Sequence, residues 1–288
     1  MLQTRRELLQ SSACGFGLLA LADLLSAAEK PADPLAPKAP HFPAKAKRVI
    51  FLFMHGGPSQ VDTFDHKPKL TEDHGKPLPF PKPRGVSGGT GNLLQSPFSF
   101  KQHGQSGAWV SELFPQIATK VDDICFIKSM HGSNSRHGGA LLELHTGSDT
   151  FVRPSMGSWI AYGLGTENRD LPGYITICPT LTHGAVNNYS SAFLPAIYQA
   201  TPLGNAGTSS DKVGVPFVKG TTPRDQQRLE LDLLGELNRT SDPVLESRIQ
   251  SFEMAYRMQT AAPALQDLSK ETAETQKLYG LDDPTPAN

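Results

Sequence analysis

Three short apolar runs, each leading into a turn, constrain the fold of this chain more than any other feature. They are RVIFLFM at 48–54, ICFIKSM at 124–130 and GYITICP at 173–179. The first two do not alternate between apolar and polar positions, which predicts strands buried on both faces, as in a parallel sheet. Stretches of helical character separate the runs. We therefore expect an α/β fold with a mostly parallel central sheet flanked by helices.

Helices are predicted from apolar spacing and from residues that typically begin or end helices. Residues 71–107 lack a clear period and are expected to form a long loop or insertion. After about Gly220 the chain becomes amphipathic, and 223–288 is expected to be helical. The predicted helices are 111–123 with Ser111 as N-cap, 138–144, 155–165, one starting at Pro223, one starting at Pro243 behind Asp242 or Ser241, and one ending at Gly280.

The N-terminal segment has the order of parts of an export signal. Arg5 and Arg6 precede an apolar run that is short for a membrane span and ends in small residues, as a cleavage site would. This order predicts a twin-arginine signal peptide at 1–28, followed by a Pro/Ala/Lys-rich linker at 29–47. The alternative is an ordinary amphipathic helix. Export predicts a periplasmic or cell-surface protein, handled by the twin-arginine machinery and without a stable membrane span after cleavage.

Charge and cysteine content exclude some classes of protein. The 288 residues carry a formal net charge of −1, which gives no electrostatic footprint for nucleic acid. Three cysteines are too few for a disulfide framework. A Cys125–Cys178 bridge is conceivable in an oxidising compartment, but two buried thiols in strands are the preferred interpretation.

Polar clusters follow the first two apolar runs, where ligands bind in open α/β sheets. One holds His55, Asp62 and Asp65, and the other holds His131 and His137. Imidazole and carboxylate together suit zinc, and the carboxylates also tolerate calcium or manganese. The second cluster adds anion-binding groups at a predicted helix start, namely Arg136 and the backbone at Gly138.

Other polar residues have simpler interpretations. His145 is expected to be a packed core histidine, and His66, His74 and His103 to be solvated loop residues. Asp62 and Asp65 could instead cap turns. The chain contains no HExxH, GxSxG or phosphate-loop motif.

The motifs together resemble one bacterial family. VIFLFMHGGPSQVDTFDHKP, SMHGSNSRHGGALLELHTG, MGSWIAYGLG, LPGYITI and the later SRIQSFEMAYRMQ and KLYGL are similar to the domain of unknown function 1501 family, a twin-arginine-exported, sulfatase-like group. The resemblance covers nearly the whole chain. It implies an alkaline phosphatase/sulfatase-like α/β fold, with a metal site at the strand ends and a nucleophile at the start of a helix.

The sequence departs from the sulfatase pattern at the nucleophile. The stretch SNSRHGGALLELHTG has no cysteine, so formylglycine is not expected. Ser135, Ser133 and His137 are the candidates, and counting along the motif leaves the choice open. His55 also stands where the first-strand carboxylate would be expected, with Asp62 coming later.

The resemblance leaves two functions open. One is metal-dependent hydrolysis of small phosphate or sulfate esters. The other is non-catalytic binding of sulfated or phosphorylated glycans, served by Lys128, Arg136 and Arg153. Nothing after Leu181 has the pattern of a buried strand followed by ligands. The resemblance therefore also predicts a fold that is incomplete at the C-terminus, lacking the family's second half.

Overall fold

The described part of the chain contains helices of 4 to 24 residues and two small two-stranded sheets. In a computed structural model, the described residues are 33–81, 89–180, 182–208, 212–215, 218, 220–238 and 242–281. The signal peptide predicted at 1–28 lies outside them. The described helices are α1 Gln60–Thr63, α2 Pro68–Glu72, α3 Pro115–Ala118, α4 His137–Thr146, α5 Met156–Leu164, α6 Arg224–Leu237, α7 Pro243–Gln266 and α8 Ala273–Leu278, with 3-10 turns at Val121–Asp123, Ala185–Asn188, Ala196–Tyr198 and Leu268–Lys270. No helix in these ranges is long and apolar enough to cross a membrane.

The described strands form two separate pairs rather than one central sheet. Strands β1 (Phe100–His103) and β2 (Ala108–Ser111) pair antiparallel as a hairpin. Strands β3 (Ile175–Ile177) and β4 (Thr201–Leu203) pair in parallel, with Ile175 opposite Thr201. The mixed α/β character and one parallel pairing are therefore confirmed. The large sheet flanked by helices is not found among the described residues.

The prediction of buried strands at 48–54 and 124–130 is wrong. Neither segment belongs to a strand, and residues 128–129 form a turn. Most of their apolar side chains are solvent-exposed, with Ile50 82% and Leu52 85% exposed, whereas Phe53 and Phe126 are half-buried. A strand requires a hydrogen-bonding partner, which local sequence does not specify. Only the third predicted strand finds one, because β4 pairs with β3. After Leu181 the described chain contains the short strand β4, which is half-buried and differs from the buried strand followed by ligands for which the sequence gives no pattern.

The β1–β2 hairpin lies partly in the segment predicted to be loop. Its turn has Gly104 and Gly107 at positive φ, and the Asp122 carboxylate accepts hydrogen bonds from the backbone N–H groups of Gln105 and Ser106 at 2.9 and 2.8 Å. Ser111 ends β2 and caps no helix, so the predicted helix at 111–123 shrinks to α3 and a 3-10 turn. Gly104 and Gly107 are typical of a hairpin turn, and the prediction of a loop at 71–107 did not take them into account.

The main core joins the start of the described chain to its C-terminal helices. Its buried members are Leu35, Ala161, Leu194, Tyr198, Met254 and Met258. Leu35 is only 4% exposed, and the Tyr198 hydroxyl donates to the carbonyl of Pro34 at 3.0 Å. Residues 33–38 thus depart from the predicted linker and pack into the domain, while 39–47 is exposed as a linker would be.

The two long C-terminal helices, α6 and α7, begin at or next to the residues predicted from the sequence. Asp242 is the N-cap of α7, and its carboxylate accepts from the Val244 N–H at 2.9 Å, with Pro243 directly behind it. Pro223 was predicted to be the first helical residue, and it is instead the N-cap of α6, which begins one residue later at Arg224. Arg228 on α6 makes a bidentate pair with Glu253 on α7 and holds the two helices together.

The cysteines differ from the preferred interpretation. Cys125 and Cys178 are free thiols, and Cys125 is exposed on the unpaired segment 124–130. Cys178 is half-buried directly after β3. The prediction of a buried thiol in a strand is therefore wrong for Cys125.

Candidate functional site

The candidate site lies at the N-terminal end of helix α4. Arg136 is its N-cap in extended conformation, and Gly147 ends the helix at φ 75°. The first intrahelical bond is from the Ala140 N–H to the Arg136 carbonyl at 2.9 Å. No side chain caps the helix start. The N–H groups of residues 137–139 therefore point outward as donors, which favours an anion.

The turn before α4 is held by two carboxylates that sequence reasoning missed. Glu143 reaches back along the helix, accepting the Ser133 N–H at 2.9 Å and the Ser133 hydroxyl at 3.0 Å. The Asn134 amide donates to Asp149 at 3.1 Å, and its oxygen accepts the Arg136 N–H at 2.9 Å. Hydrogen bonds from Thr150 and Asn134 lower the pKa of the Asp149 carboxyl. The turn is thus held by hydrogen bonds at several points.

The candidate nucleophiles differ in their surroundings. Ser133 already donates its hydroxyl to a carboxylate, which is the geometry of a nucleophile beside a base. Ser135 is exposed, and no hydrogen bond to its hydroxyl is present in the described part of the chain. His137 is the first residue of α4 and is also exposed.

Three imidazoles gather at the helix start. The ring of His183 lies 5.4 Å from that of His137 and 5.8 Å from that of His55, measured between centroids. Phe51 and Phe53 pack against His145 near the other end of α4, and two residues later the chain presents His55. The structure therefore brings together two predicted site residues, and adds His183.

The remaining predicted ligands do not join this cluster. Asp65 pairs with Lys67 at 2.7 Å, and Asp62 lies in the first turn of α1. His131 is exposed, and no ring contact links it to the three imidazoles in the described structure. Within the described ranges, no three His, Cys, Asp or Glu side chains already converge as a metal site.

Two other histidines are packed. His145 is packed, as predicted; its ring contacts Phe51 and Phe53, and burial lowers its pKa. His66 was predicted to be solvated, which is wrong. The centroid of its ring lies 4.9 Å from that of Phe100 and 4.5 Å from that of Trp109, because α1 and the turn after it pack on the β1–β2 hairpin.

An open groove runs beside the far end of α4. Its volume is about 470 Å³, and it is lined by Glu143, Leu144, His145, Thr146, Gly147, Pro154, Met156, Trp159 and Ile160. Trp159 makes edge contacts with Tyr162 and Phe193 at 6.0 and 5.8 Å. All three aromatic rings are solvent-exposed, with Phe193 70% exposed.

The described structure is therefore that of an α/β-like protein in which imidazole and hydroxyl groups lie together at the start of α4, where no side chain caps the helix. Comparison with known families goes one step further. The family model for "Protein of unknown function (DUF1501)" matches residues 46–288, and the chain belongs to this family. The chain matches neither a curated protein nor a solved structure.

Proposed function

We propose that this protein is an exported, metal-dependent hydrolase of phosphate or sulfate esters. The observation that supports the proposal is the start of α4, where outward N–H groups, two serine hydroxyls and His137 share one turn. Donors fixed in place can stabilise the negative charge that develops on a phosphoryl or sulfuryl group. Arg136 stands at the same turn and adds a positive charge.

The residues of the turn have distinct chemical roles in this proposal. A serine hydroxyl attacks the phosphorus or sulfur atom, the bond to the ester oxygen breaks, and the alcohol leaves. Water then hydrolyses the resulting seryl ester, which releases phosphate or sulfate and restores the hydroxyl. Glu143 accepts the proton when Ser133 is the nucleophile, since the hydroxyl and carboxylate are 3.0 Å apart. Zinc, calcium or manganese would supply Lewis acidity, with His55, Asp62, Asp65, His131 and His137 as predicted ligands. Formylglycine has no part in this chemistry.

Turnover of aryl phosphate and aryl sulfate by the full chain tests the proposal. We expect metal-dependent hydrolysis that Ser135→Ala or Ser133→Ala reduces by roughly 10²-fold or more. Ser129→Ala is the control, because Ser129 is also exposed a few residues upstream. Equal turnover in all three variants, or none in the wild type with any of the three metals, would refute the assignment.

A second candidate function is binding of anionic glycans without turnover. Exposed aromatic rings are suited to stacking on sugar rings, and Trp159, Tyr162 and Phe193 provide three beside the groove. Lys128, Arg136 and Arg153 are exposed cations in the same region of sequence. The chain has two tryptophans, so Trp109→Phe leaves Trp159 as the single reporter. Quenching of its fluorescence by sulfated oligosaccharides, but not by neutral ones, would support binding.

The proposed export rests on Arg5 and Arg6, which lie outside the described residues. The twin-arginine receptor reads paired guanidinium groups. We expect Arg5→Lys with Arg6→Lys to leave uncleaved protein in the cytoplasm. Normal processing of this double variant, measured by fractionation and mass, would indicate a different route.

A further inference from the structure

We propose that His55, His137 and His183 form a three-imidazole site for a borderline divalent cation, zinc above all. The inference deepens the proposed function by naming the ligands of its metal. It includes a residue, His183, that the sequence motifs did not point to. It also sets aside the carboxylates Asp62 and Asp65 and the exposed His131 as ligands.

The spacing of the rings suits a shared ion. Zinc binds imidazole nitrogen at about 2.0–2.1 Å in tetrahedral geometry, which places neighbouring ring centroids about 5 Å apart. The observed separations are 5.4 Å for His137–His183 and 5.8 Å for His55–His183. All three side chains are exposed, so their rings are free to turn about the side-chain bonds and point nitrogen atoms at one ion. A shared ion requires that rotation, because no three His, Cys, Asp or Glu side chains among the described residues are arranged to hold a metal ion.

The backbone at His183 is held in an unfavourable conformation. His183 has φ 51°, and its neighbours Gly184 and Ala185 have φ 98° and 44°. Non-glycine residues adopt this region rarely, and such conformations cluster at functional sites where surrounding structure imposes them. Here the conformation directs the His183 ring toward the start of α4.

A buried side chain imposes this conformation. Asn188 is 4% exposed, and its amide donates to the His183 carbonyl at 3.0 Å. Asn188 also fills the space beside Gly184, where an added β-carbon would lie 2.7 Å from the amide oxygen. The 3-10 turn that carries Asn188, Ala185–Asn188, packs against α4. His183 is therefore fixed relative to the helix that carries His137.

The three rings have no competing partner. No hydrogen bond or ion pair engages the ring of His55, His137 or His183 within the described ranges. By contrast, His74 accepts the Gln95 N–H at 3.2 Å, and His145 packs against two phenylalanines. Imidazole nitrogens left free beside one another suit a metal ion.

The three imidazole ligands determine which metal the site prefers and favour a negatively charged substrate. Three neutral imidazoles favour zinc over calcium or manganese, which prefer oxygen ligands. They also leave the full double positive charge of the ion uncompensated. A fourth position then remains for water or for an anionic ester oxygen, beside the outward N–H groups of α4.

Metal titration of the full chain tests the site directly. We expect one zinc per chain by competition with a chelating dye, and visible absorption typical of four-coordinate cobalt when cobalt replaces zinc. His183→Asn is the key variant, because asparagine tolerates a left-handed backbone but cannot ligate as imidazole does. We expect it to weaken zinc binding at least tenfold, as should His137→Gln. His74→Ala is the control, which should bind zinc as wild type does, because His74 lies outside the cluster and accepts the Gln95 N–H instead.

The outcomes separate this site from the proposed hydrolysis. Zinc bound by the three histidines with no turnover would sustain the site and reject the hydrolase. Ester turnover with zinc affinity unchanged in His183→Asn would reject the site and sustain the hydrolase. Equal zinc affinity in wild type, His183→Asn and His137→Gln, with each folded by circular dichroism, overturns the inference outright.

Discussion

At the scale of single residues, the contact between Ser133 and Glu143 has a structural and a catalytic interpretation, which substitutions can distinguish. The carboxylate accepts both the backbone N–H and the hydroxyl of Ser133. Such a contact either holds the turn in place or makes the hydroxyl a nucleophile. The two roles differ in what they require, since holding the turn needs only an acceptor whereas catalysis needs a base.

We predict that Glu143→Gln separates these roles. The glutamine oxygen can still accept from Ser133, so the free energy of unfolding should change by less than about 1 kcal/mol. Without a basic carboxylate, ester turnover should fall by roughly 10²–10⁴-fold if Ser133 is the nucleophile. Unchanged turnover in Glu143→Gln, with turnover lost in Ser135→Ala, would leave Glu143 as a purely structural residue.

A second prediction at the scale of single residues concerns His145 and the pH dependence of the free energy of unfolding. Burial against Phe51 and Phe53 lowers its pKa from the ordinary 6.5, so the unfolded chain takes up a proton before the folded one does. Its contribution to stability is therefore full above pH 6.5 and is lost as the pH falls through the lowered folded pKa.

We expect His145→Gln to be less acid-sensitive than wild type. The difference in unfolding free energy between the two should shift in favour of the variant from about pH 7.5 to about pH 5.5. Urea unfolding measures it, with His74→Gln as the control because His74 is exposed. A pH-independent difference would contradict the packed position of His145.

Two of the three histidines that lie together in the structure were predicted as site residues from the sequence. His55 and His137 were named because they follow apolar runs expected to be strands, and both lie near His183 although those runs form no strands. His183 escaped notice because its placement depends on a left-handed backbone and on the buried Asn188. Glu143 escaped because its role depends on a side chain folding back along its own helix, which spacing does not reveal.

At the scale of elements, the contact between α5 and the start of the described chain is the clearest packing constraint. Gly165 ends α5 at φ 72°, and the Thr166 and Lys38 N–H groups donate to Leu35 and Leu164 carbonyls at 2.8 and 2.9 Å. An added β-carbon at Gly165 would lie 2.1 Å from the carbonyl oxygen of Ala36. Only glycine fits this close approach.

We predict that Gly165→Ala destabilises the protein by at least about 1 kcal/mol, through both the positive φ and the clash. Gly163→Ala is the matched control. It lies inside the same helix, and an added β-carbon meets nothing within 4 Å. It should stabilise by roughly 0.5–1 kcal/mol. Urea midpoints that are equal for the two variants would show that residues 33–38 do not pack as described.

Helices were easier to predict than strands for a physical reason. The signals for α4, α5 and α7 are local, as with the Asp242 cap and the glycine that ends α4. A strand depends on a partner elsewhere in the chain, so RVIFLFM indicates apolar character without indicating what covers it. β3 pairs with β4, which begins at Thr201 and includes Pro202, an unusual residue for a strand.

At the scale of the whole molecule, the unpaired segments leave a substantial apolar surface exposed. Val49, Ile50, Leu52, Ile127 and Met130 are each at least half exposed. Exposed apolar surface of this kind favours association with another apolar surface, and extended edges favour strand pairing. The free chain should therefore self-associate at high concentration.

The final prediction follows from that exposure. Ile50→Lys together with Leu52→Lys should leave the free energy of unfolding within about 0.5 kcal/mol of wild type, since neither side chain packs in the described fold. The same charges should reduce self-association in sedimentation and lower the binding of an apolar dye. Val110→Lys is the contrasting variant, because Val110 is 1% exposed in the hairpin core and an unpaired buried charge should unfold it. If the double variant unfolds as readily as Val110→Lys, then 48–54 is a buried strand after all, and the sheet expected from the sequence forms in solution.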